Sequence, residues 1–208
     1  MAKIHIRSII VLMFSCLIPL CILSQTHSPL NIIIFGDSLS SGYNLPYKKD
    51  WVSLLASNNK QFIITNASVS GATSTDGLHI ATFHLNKKYY HLVIIALGGN
   101  DFLKGIPIEH TRNNLEKIIK IANRNKSKVL ILGIPFFSNY GNNYRNDILD
   151  MYKTLSVKFN SHLNPNFLGE VINDRKFLQS DGIHFNQEAQ AIIQSNVEKS
   201  IKSLRFYN

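Results

Sequence analysis

Residues 31–42 read NIIIFGDSLSSG, and this stretch gives the first indication of both the fold and the chemistry. After Asn31 the run up to residue 35 is apolar without polar alternation, which is typical of a parallel strand buried on both faces. Three similar runs follow at residues 62–65, 92–97 and 129–134. The chain therefore contains four candidate strands of one parallel sheet.

Helical patterns separate and follow these runs. Apolar residues recur every three to four positions in segments that begin at Leu115, Ile148 and Ala189. Asp50 and Asn186 are suitable N-caps for helices that begin one residue later. This alternation predicts an α/β fold, a three-layer αβα sandwich with right-handed crossovers. A chain of 208 residues is long enough for one such domain.

The turns after the strands are the positions to examine for chemistry, because parallel sheets bind ligands at the carboxyl ends of their strands. Three such turns, and the segment before the last helix, combine glycine with polar side chains. They are GDSLS at 36–40, NASVSG at 66–71, GGND at 98–101 and SDGIHFN at 180–186.

Ser38 lies just beyond the first strand, near the positive end of a helix. A serine hydroxyl needs a base to act as a nucleophile, so Ser38 taken alone is better explained as a helix cap. Asp181 and His184 can supply that base and the carboxylate that holds its tautomer.

The pair Asp76 and His79 has the same spacing as Asp181 and His184, so spacing alone leaves the two pairs tied. Context favours the second pair, because residues 76–79 fall within a predicted helix, where a polar i, i+3 pair is ordinarily on the surface. For the remaining histidines a structural interpretation is preferred; they include His84, His91, His110 and His162.

Gly71 and Asn100 are candidates for an oxyanion hole, which requires donors aimed at the developing negative charge. Each also has a simpler explanation, since Gly71 can permit a positive φ and Asn100 can cap the next turn. Their occurrence together with Ser38 and His184 favours acyl transfer.

The first 28 residues have the layout of a secretory signal peptide: Lys3 and Arg7 precede an apolar run at 9–23, and a polar stretch at 24–28 contains the expected cleavage site. The apolar run is too short for a permanent membrane anchor, and Pro19 interrupts it. We therefore expect an exported mature domain at residues 29–208, either periplasmic or secreted.

Composition excludes several classes of protein. Both cysteines, Cys16 and Cys21, lie in the predicted signal segment, so the mature domain can have neither a disulfide nor a cysteine nucleophile. Lys3 and Arg7 account for two units of the formal net charge of +9, and the remaining +7 of the mature domain could favour anionic membranes or phosphate-bearing substrates. The lysines are scattered, however, and no basic patch with interleaved aromatic residues indicates nucleic-acid binding.

The four turns together resemble the SGNH or GDSL hydrolases, whose marker residues are Ser, Gly, Asn and His in separate blocks. The blocks are at 36–43, 66–71, 97–101 and 181–184, in family order. With the Asn-Tyr-Gly segment at 139–141, the sequence is similar to the bacterial acyl-CoA thioesterase I, lysophospholipase L1 and arylesterase subgroup.

This resemblance implies Ser38 as nucleophile, His184 as general base and acid, and Asp181 as its orienting carboxylate. It implies an oxyanion hole of the Ser38 and Gly71 N–H groups and the Asn100 amide, with no metal or cofactor. It also implies a flavodoxin-like sheet of five parallel strands, with the fifth near residues 167–171. The expected substrates are acyl esters, acyl thioesters or lysophospholipids, and a monomer is expected.

One position departs from the subgroup, in which proline usually follows the catalytic histidine and Phe185 stands here. We expect a changed pocket wall with activity retained. Five apolar side chains could line an acyl groove or belong to the core: Leu103, Ile106, Phe136, Phe137 and Phe185.

Two alternatives belong to other classes. A metal-dependent phosphoesterase also uses Gly-Asp turns, but Asp-x-His and clustered histidines are absent from the sequence. A non-catalytic exported binding protein could use the same fold, since fold alone does not give function. The presence of all four marker residues favours an active enzyme.

Overall fold

Strands and helices alternate along the chain as the sequence predicts. The computed structural model describes residues 28–134 and 141–206. The strands are β1 Leu30–Gly36, β2 Phe62–Asn66, β3 Leu92–Ala96, β4 Lys128–Leu132 and β5 His162–Asn164. The α-helices are α1 Ser38–Ser41, α2 Trp51–Asn58, α3 Ser74–Leu85, α4 Gly99–Leu103, α5 Ile108–Arg124, α6 Asn142–Lys158 and α7 Gln187–Ser203. The 3₁₀ helices Gly169–Asn173 and Arg175–Phe177 precede α7.

All neighbouring strands of the sheet pair in parallel, in the order β2-β1-β3-β4-β5. Ile34 of β1 is in register with Asn66 of β2 on one side and Ile94 of β3 on the other. This is the flavodoxin-like order, so the predicted fold class is confirmed. From β1 the chain first adds β2 on one side and then returns to add β3, β4 and β5 on the other side. This change of side between β1 and β3 opens a crevice at their carboxyl ends.

The sheet separates two hydrophobic layers because successive side chains of a strand point to opposite faces. Ile32 and Ile34 pack with α2 and α7, whereas Ile33 and Phe35 pack with α3, α5 and α6. Burial on both faces explains why the strands read as unbroken apolar runs. Each fully buried aliphatic side chain stabilises the fold by roughly 1.5–3 kcal/mol.

Both predicted N-caps are confirmed. Asp50 Oδ1 accepts a hydrogen bond from the Ser53 N–H at 2.9 Å at the start of α2. Asn186 Oδ1 accepts hydrogen bonds from the N–H groups of Glu188 and Ala189 at the start of α7.

The predicted position of the fifth strand is wrong. The strand is β5, where His162 and Asn164 pair with Leu130 and Leu132 of β4. Residues 167–171 instead enter a 3₁₀ helix, and their apolar side chains are buried beneath α7. A three-residue edge strand with polar ends has no apolar run to reveal it, while the buried residues next to it imitate one.

The predicted signal segment lies almost wholly outside the described residues. Among the helices that the structure describes, none has the length and hydropathy needed to cross a membrane.

Candidate active site

Ser38 is the first residue of α1, directly beyond β1. The cap of this helix is Asp37, whose Oδ1 accepts a hydrogen bond from the Leu39 N–H at 3.0 Å. The interpretation of Ser38 as a cap is therefore wrong, and its hydroxyl is available for other contacts. The turn is so tight that a Cβ on Gly36 would lie 2.8 Å from the Ser40 side chain.

The loop before α7 brings a histidine and a carboxylate to that hydroxyl. Ser38 Oγ and His184 Nε2 are hydrogen bonded at 2.8 Å, and His184 Nδ1 and Asp181 Oδ2 at 2.7 Å. Asp181 Oδ1 also accepts hydrogen bonds from the N–H groups of Ile183 and His184, at 2.9 and 3.0 Å. Hydroxyl, imidazole and carboxylate in this order form the arrangement that an activated serine requires.

Asp181 is held in its anionic form. Partial burial opposes ionisation, but hydrogen bonds from the His184 backbone and ring and from the Ile183 N–H outweigh it and lower the pKa of Asp181 to about 2. An anion at this position keeps a proton on His184 Nδ1, which leaves Nε2 as the acceptor for the Ser38 hydroxyl.

In the alternative pair, Asp76 has a structural task at the start of a helix. Asp76 lies in the first turn of α3, where Oδ2 accepts hydrogen bonds from the Thr73 N–H at 2.9 Å and the Thr73 hydroxyl at 2.7 Å. These bonds lower the pKa of Asp76. His79 borders a surface groove between α3 and α5, beside Leu78 and Lys117.

The two oxyanion candidates lie on neighbouring turns that are tied together. Gly71 has φ +77°, a conformation that favours glycine, in a turn closed by the Ala72 N–H to Val69 O hydrogen bond of 3.0 Å. Asn100 Nδ2 donates to Ala72 O at 3.0 Å. Asn100 and Ser38 line the same pocket, and the Ser38 N–H is in the first helical turn, where N–H groups have no intrahelical acceptor.

Comparison with known proteins agrees with this geometry. The sequence profile of the GDSL-like lipase/acylhydrolase family matches residues 34–192. An arylesterase of Vibrio mimicus is 32% identical over 185 residues, which cover 87% of this chain and 92% of that protein. The chain belongs to the GDSL-like lipase/acylhydrolase family.

Further members of similar sequence and structure support this assignment. The thioesterase 1/protease 1/lysophospholipase L1 of Escherichia coli K12 is 34% identical to this GDSL-like chain over 176 residues, covering 83% of it and 84% of the relative. The crystal structure of TesA has a TM-score of 0.81 and 33% identity, and the match covers 84% of this chain and 99% of that one. The predicted family is thus confirmed.

Buried hydrogen bonds fix the turn that carries Asn100. The neighbouring Asp101 is fully buried, and its carboxylate accepts hydrogen bonds from the Ser74 N–H at 2.7 Å and the Ser74 hydroxyl at 2.5 Å. On the other side, the buried Tyr152 hydroxyl donates to Leu97 O at 2.8 Å. The backbone around Asn100 is therefore anchored to α3 and α6.

Two residues that the sequence analysis missed connect the nucleophile segment to the histidine loop. The Tyr43 ring packs against the His184 ring with centroids 4.3 Å apart. Gln179 Nε2 donates to Tyr43 O at 3.1 Å and to Phe185 O at 3.0 Å, and Gln179 Oε1 accepts from Asn44 Nδ2 at 3.0 Å. A pattern of marker residues cannot reveal these contacts, because two of them end on backbone carbonyls and three join segments that are far apart in the sequence.

A narrow pocket of about 50 Å³ opens beside Ser38 and is mainly apolar. Its lining contains Leu103 and Phe185, two of the five predicted groove residues. Ile106 is not among its lining residues, while Phe136 and Phe137 lie outside the described residues. The remaining apolar lining side chains were not predicted: Leu39, Ile134, Leu168, Ile172 and Ile183.

Phe185 serves both alternatives that the sequence left open. Its side chain is buried in the layer between the sheet, α2 and α7, and it also borders the pocket. The Phe185 backbone forms an antiparallel bridge with Leu178, which closes the loop that carries Asp181 and His184. Phe185 therefore forms part of the pocket wall.

Asp37 is a second unusual carboxyl group in the site. Burial raises its pKa to about 6, although the hydrogen bond from the Leu39 N–H favours the anion. Asp37 Oδ2 also lies 3.4 Å from Asn100 Nδ2. Because the folded pKa exceeds the usual 3.8, the contribution of Asp37 to stability is fully present below about pH 4 and is lost as the pH rises to about 6.

Replacement of Asp37 tests this linkage. In Asp37→Asn, which keeps an acceptor for the helix cap, we expect the free energy of unfolding to change less between pH 4 and 7 than in the wild type. The difference should be on the order of 3 kcal/mol, measured by urea unfolding at both pH values. Asp181 has the opposite sign, but its pKa of about 2 places its effect below pH 4. Parallel profiles of the two proteins would contradict the assignment.

Gln179 can be tested against its own neighbour. Gln179→Ala removes the donor to two carbonyls that position His184, so we expect kcat for a soluble ester to fall roughly 10-fold or more while KM changes little. Asn44→Ala is the matched control, because it removes only one bond of the same group. Equal kcat values in the two variants, at comparable stability, would show that Gln179 does not position the histidine.

Proposed function

We propose that this chain is a serine hydrolase that cleaves carboxylic esters and acyl thioesters through an acyl-enzyme on Ser38. The observation that carries the proposal is the unbroken hydrogen-bonded series from Asp181 through His184 to Ser38, with links of 2.7 and 2.8 Å. The series ends at a pocket that also contains Asn100.

In the first step, His184 Nε2 takes the proton of Ser38 as Oγ attacks the acyl carbon. Asp181 holds the ring and stabilises the imidazolium that forms. His184 then gives the proton to the leaving alcohol or thiol, and the acyl group stays on Ser38. A water molecule, deprotonated by His184, releases the acid and restores the hydroxyl.

The developing oxyanion is stabilised by the N–H groups of Ser38 and Gly71 and by the Asn100 amide. Asn100 Nδ2 carries two hydrogens, and the bond to Ala72 O orients the amide. The other contact of this nitrogen, 3.4 Å to Asp37 Oδ2, is long and weak, so an oxyanion can replace it.

The substrate class follows from the pocket and from the family. Its relatives include an arylesterase and a thioesterase 1/protease 1/lysophospholipase L1, so we assign aryl esters, acyl thioesters and lysophospholipids to this chain as candidate substrates. The small apolar pocket favours a short acyl group. A hydroxyl, an imidazole and a carboxylate suffice for this chemistry, so no cofactor is invoked.

Both alternatives lack support. Within the part of the chain that the structure describes, no three His, Cys, Asp or Glu side chains gather as metal ligands, as a metal-dependent phosphoesterase would require. A non-catalytic binding protein would have no need of a histidine hydrogen bonded to the Ser38 hydroxyl.

We further propose that the chain is exported and acts as a monomer. Lys3, Arg7 and the apolar run at 9–23 support removal of a signal peptide by cleavage within residues 24–28. The family match begins at residue 34, inside the proposed mature domain of 29–208. The protein then acts in the periplasm or outside the cell.

The two Asp-x-x-His pairs provide a matched test. We expect His184→Ala to lose nearly all hydrolysis of a nitrophenyl ester, because the Ser38 hydroxyl then lacks a base, and His79→Ala to keep the wild-type rate. Rates are measured on purified mature protein, first with nitrophenyl esters and then with acyl-CoA and lysophospholipid. Loss of activity in His79→Ala with retention in His184→Ala would overturn the site.

A further inference from the structure

Large hydrophobic side chains are exposed around the mouth of the site. Five of them are Tyr43, Tyr47, Val69, Leu103 and Ile183. We call these five residues, together with Lys48 and Lys49, the rim surface. Tyr47 is the extreme case, with 85% of its surface exposed. Exposed apolar residues that gather in one place indicate an interaction surface, whereas scattered ones need no explanation.

Contacts and topology place these side chains at the carboxyl ends of the strands. Tyr43 packs against His184, and Leu103 and Ile183 line the pocket beside Ser38. Val69 N–H donates to Gly36 O at 3.1 Å, at the end of β1. Residues 42–50 connect α1 to the start of α2, a helix that runs back along parallel strands and so begins at their carboxyl edge.

Positive charge accompanies the exposed aromatic residue. Lys48 Nζ lies 5.1 Å from the centroid of the Tyr47 ring, and Lys49 is exposed beside it. Neither lysine takes part in an ion pair with the other described residues. The nearby carboxylate of Asp50 is engaged by the Ser53 N–H and hydroxyl in the cap of α2.

We propose that the rim surface docks on an anionic lipid surface, with the mouth of the Ser38 pocket facing the lipid. Tyrosine is suited to such an interface because its ring is apolar and its hydroxyl remains hydrated, and lysine stems extend along apolar surface while their charges reach headgroups. Docking would let the enzyme draw a lipid ester into the pocket, and this part of the inference rests on the proposed function. The docking itself does not.

Charge complementarity selects lipid rather than protein as the partner. The side chains are carried by four separate segments of the chain, and they combine apolar and aromatic groups with unpaired lysines instead of forming a continuous groove. Each lysine near an anionic surface strengthens membrane attachment roughly fivefold, and salt weakens the effect.

The chain contains a matched control at the amino ends of the strands. Phe83 is exposed near the end of α3, Lys87 Nζ lies 3.6 Å from the centroid of its ring, and Lys88 follows. α3 starts at the active-site edge and ends just before β3 begins, so this cluster faces away from the site. An aromatic ring with two adjacent lysines is thus present in both places.

The test is cosedimentation of the mature protein with phosphatidylcholine vesicles that contain or lack phosphatidylglycerol. We expect binding to the anionic vesicles only, and about 25-fold weaker partitioning for Lys48→Gln with Lys49→Gln. Lys87→Gln with Lys88→Gln makes the same change in net charge and should bind like the wild type. Nitrophenyl ester hydrolysis should be unchanged in both double variants, which verifies that they are folded.

Three results would overturn the proposal: no binding of the wild type to anionic vesicles, equal binding to neutral ones, or equal losses in the two double variants. The last result would indicate attraction by net charge alone. Ser38→Ala should bind vesicles as the wild type does. If Ser38→Ala binds vesicles but the wild type hydrolyses no ester, the proposed function fails while the docking stands.

Discussion

The hydrogen bond between Ser38 Oγ and His184 Nε2 joins residues 146 positions apart, and the rest of the site depends on it. The hydroxyl is fixed by the end of β1, whereas the imidazole is carried by a loop before α7. Because the strands are parallel, the hydroxyl and the imidazole meet at the carboxyl ends of the strands. If this loop shifted by about 1 Å, the same residues would be present but much of the rate of hydrolysis would be lost.

Anchors on both partners maintain that distance. Trp51 Nε1 donates to Leu39 O at 3.0 Å beside the nucleophile, and Gln179 N–H donates to His184 O at 2.8 Å beside the base. These anchors explain why a site made of turns can be rigid. Because each anchor uses a backbone carbonyl as its acceptor, it does not depend on the side chains by which the family is recognised.

Much of the fold and part of the site could be predicted from the sequence, for physical reasons that differ between residues. β1 and β3 are buried on both faces and therefore appear as unbroken apolar runs, whereas β5 is a short edge strand without such a run. The cap at Asp37 was not predicted, because an Asp-Ser turn does not tell which of the two residues caps the helix. Tyr43 and Gln179 act through contacts between distant segments, which no local pattern encodes.

Burial of carboxyl groups has a cost at this site. Asp37 and Asp101 are both nearly inaccessible to solvent, and each is retained by hydrogen bonds to a neighbouring helix. The hydrogen bonds that they accept offset the cost of their desolvation and also order the turns that carry Ser38 and Asn100. Such groups are expected where preorganised donors must face a developing charge.

Covalent labelling distinguishes an activated Ser38 hydroxyl from an ordinary serine hydroxyl. A fluorophosphonate probe reacts with a serine hydroxyl only when a base activates it. We expect the folded mature protein to be labelled once, on Ser38 by peptide mass spectrometry, and Ser38→Ala not to be labelled. A folded wild-type protein that remains unlabelled, or a Ser38→Ala variant that is still labelled, would contradict this expectation.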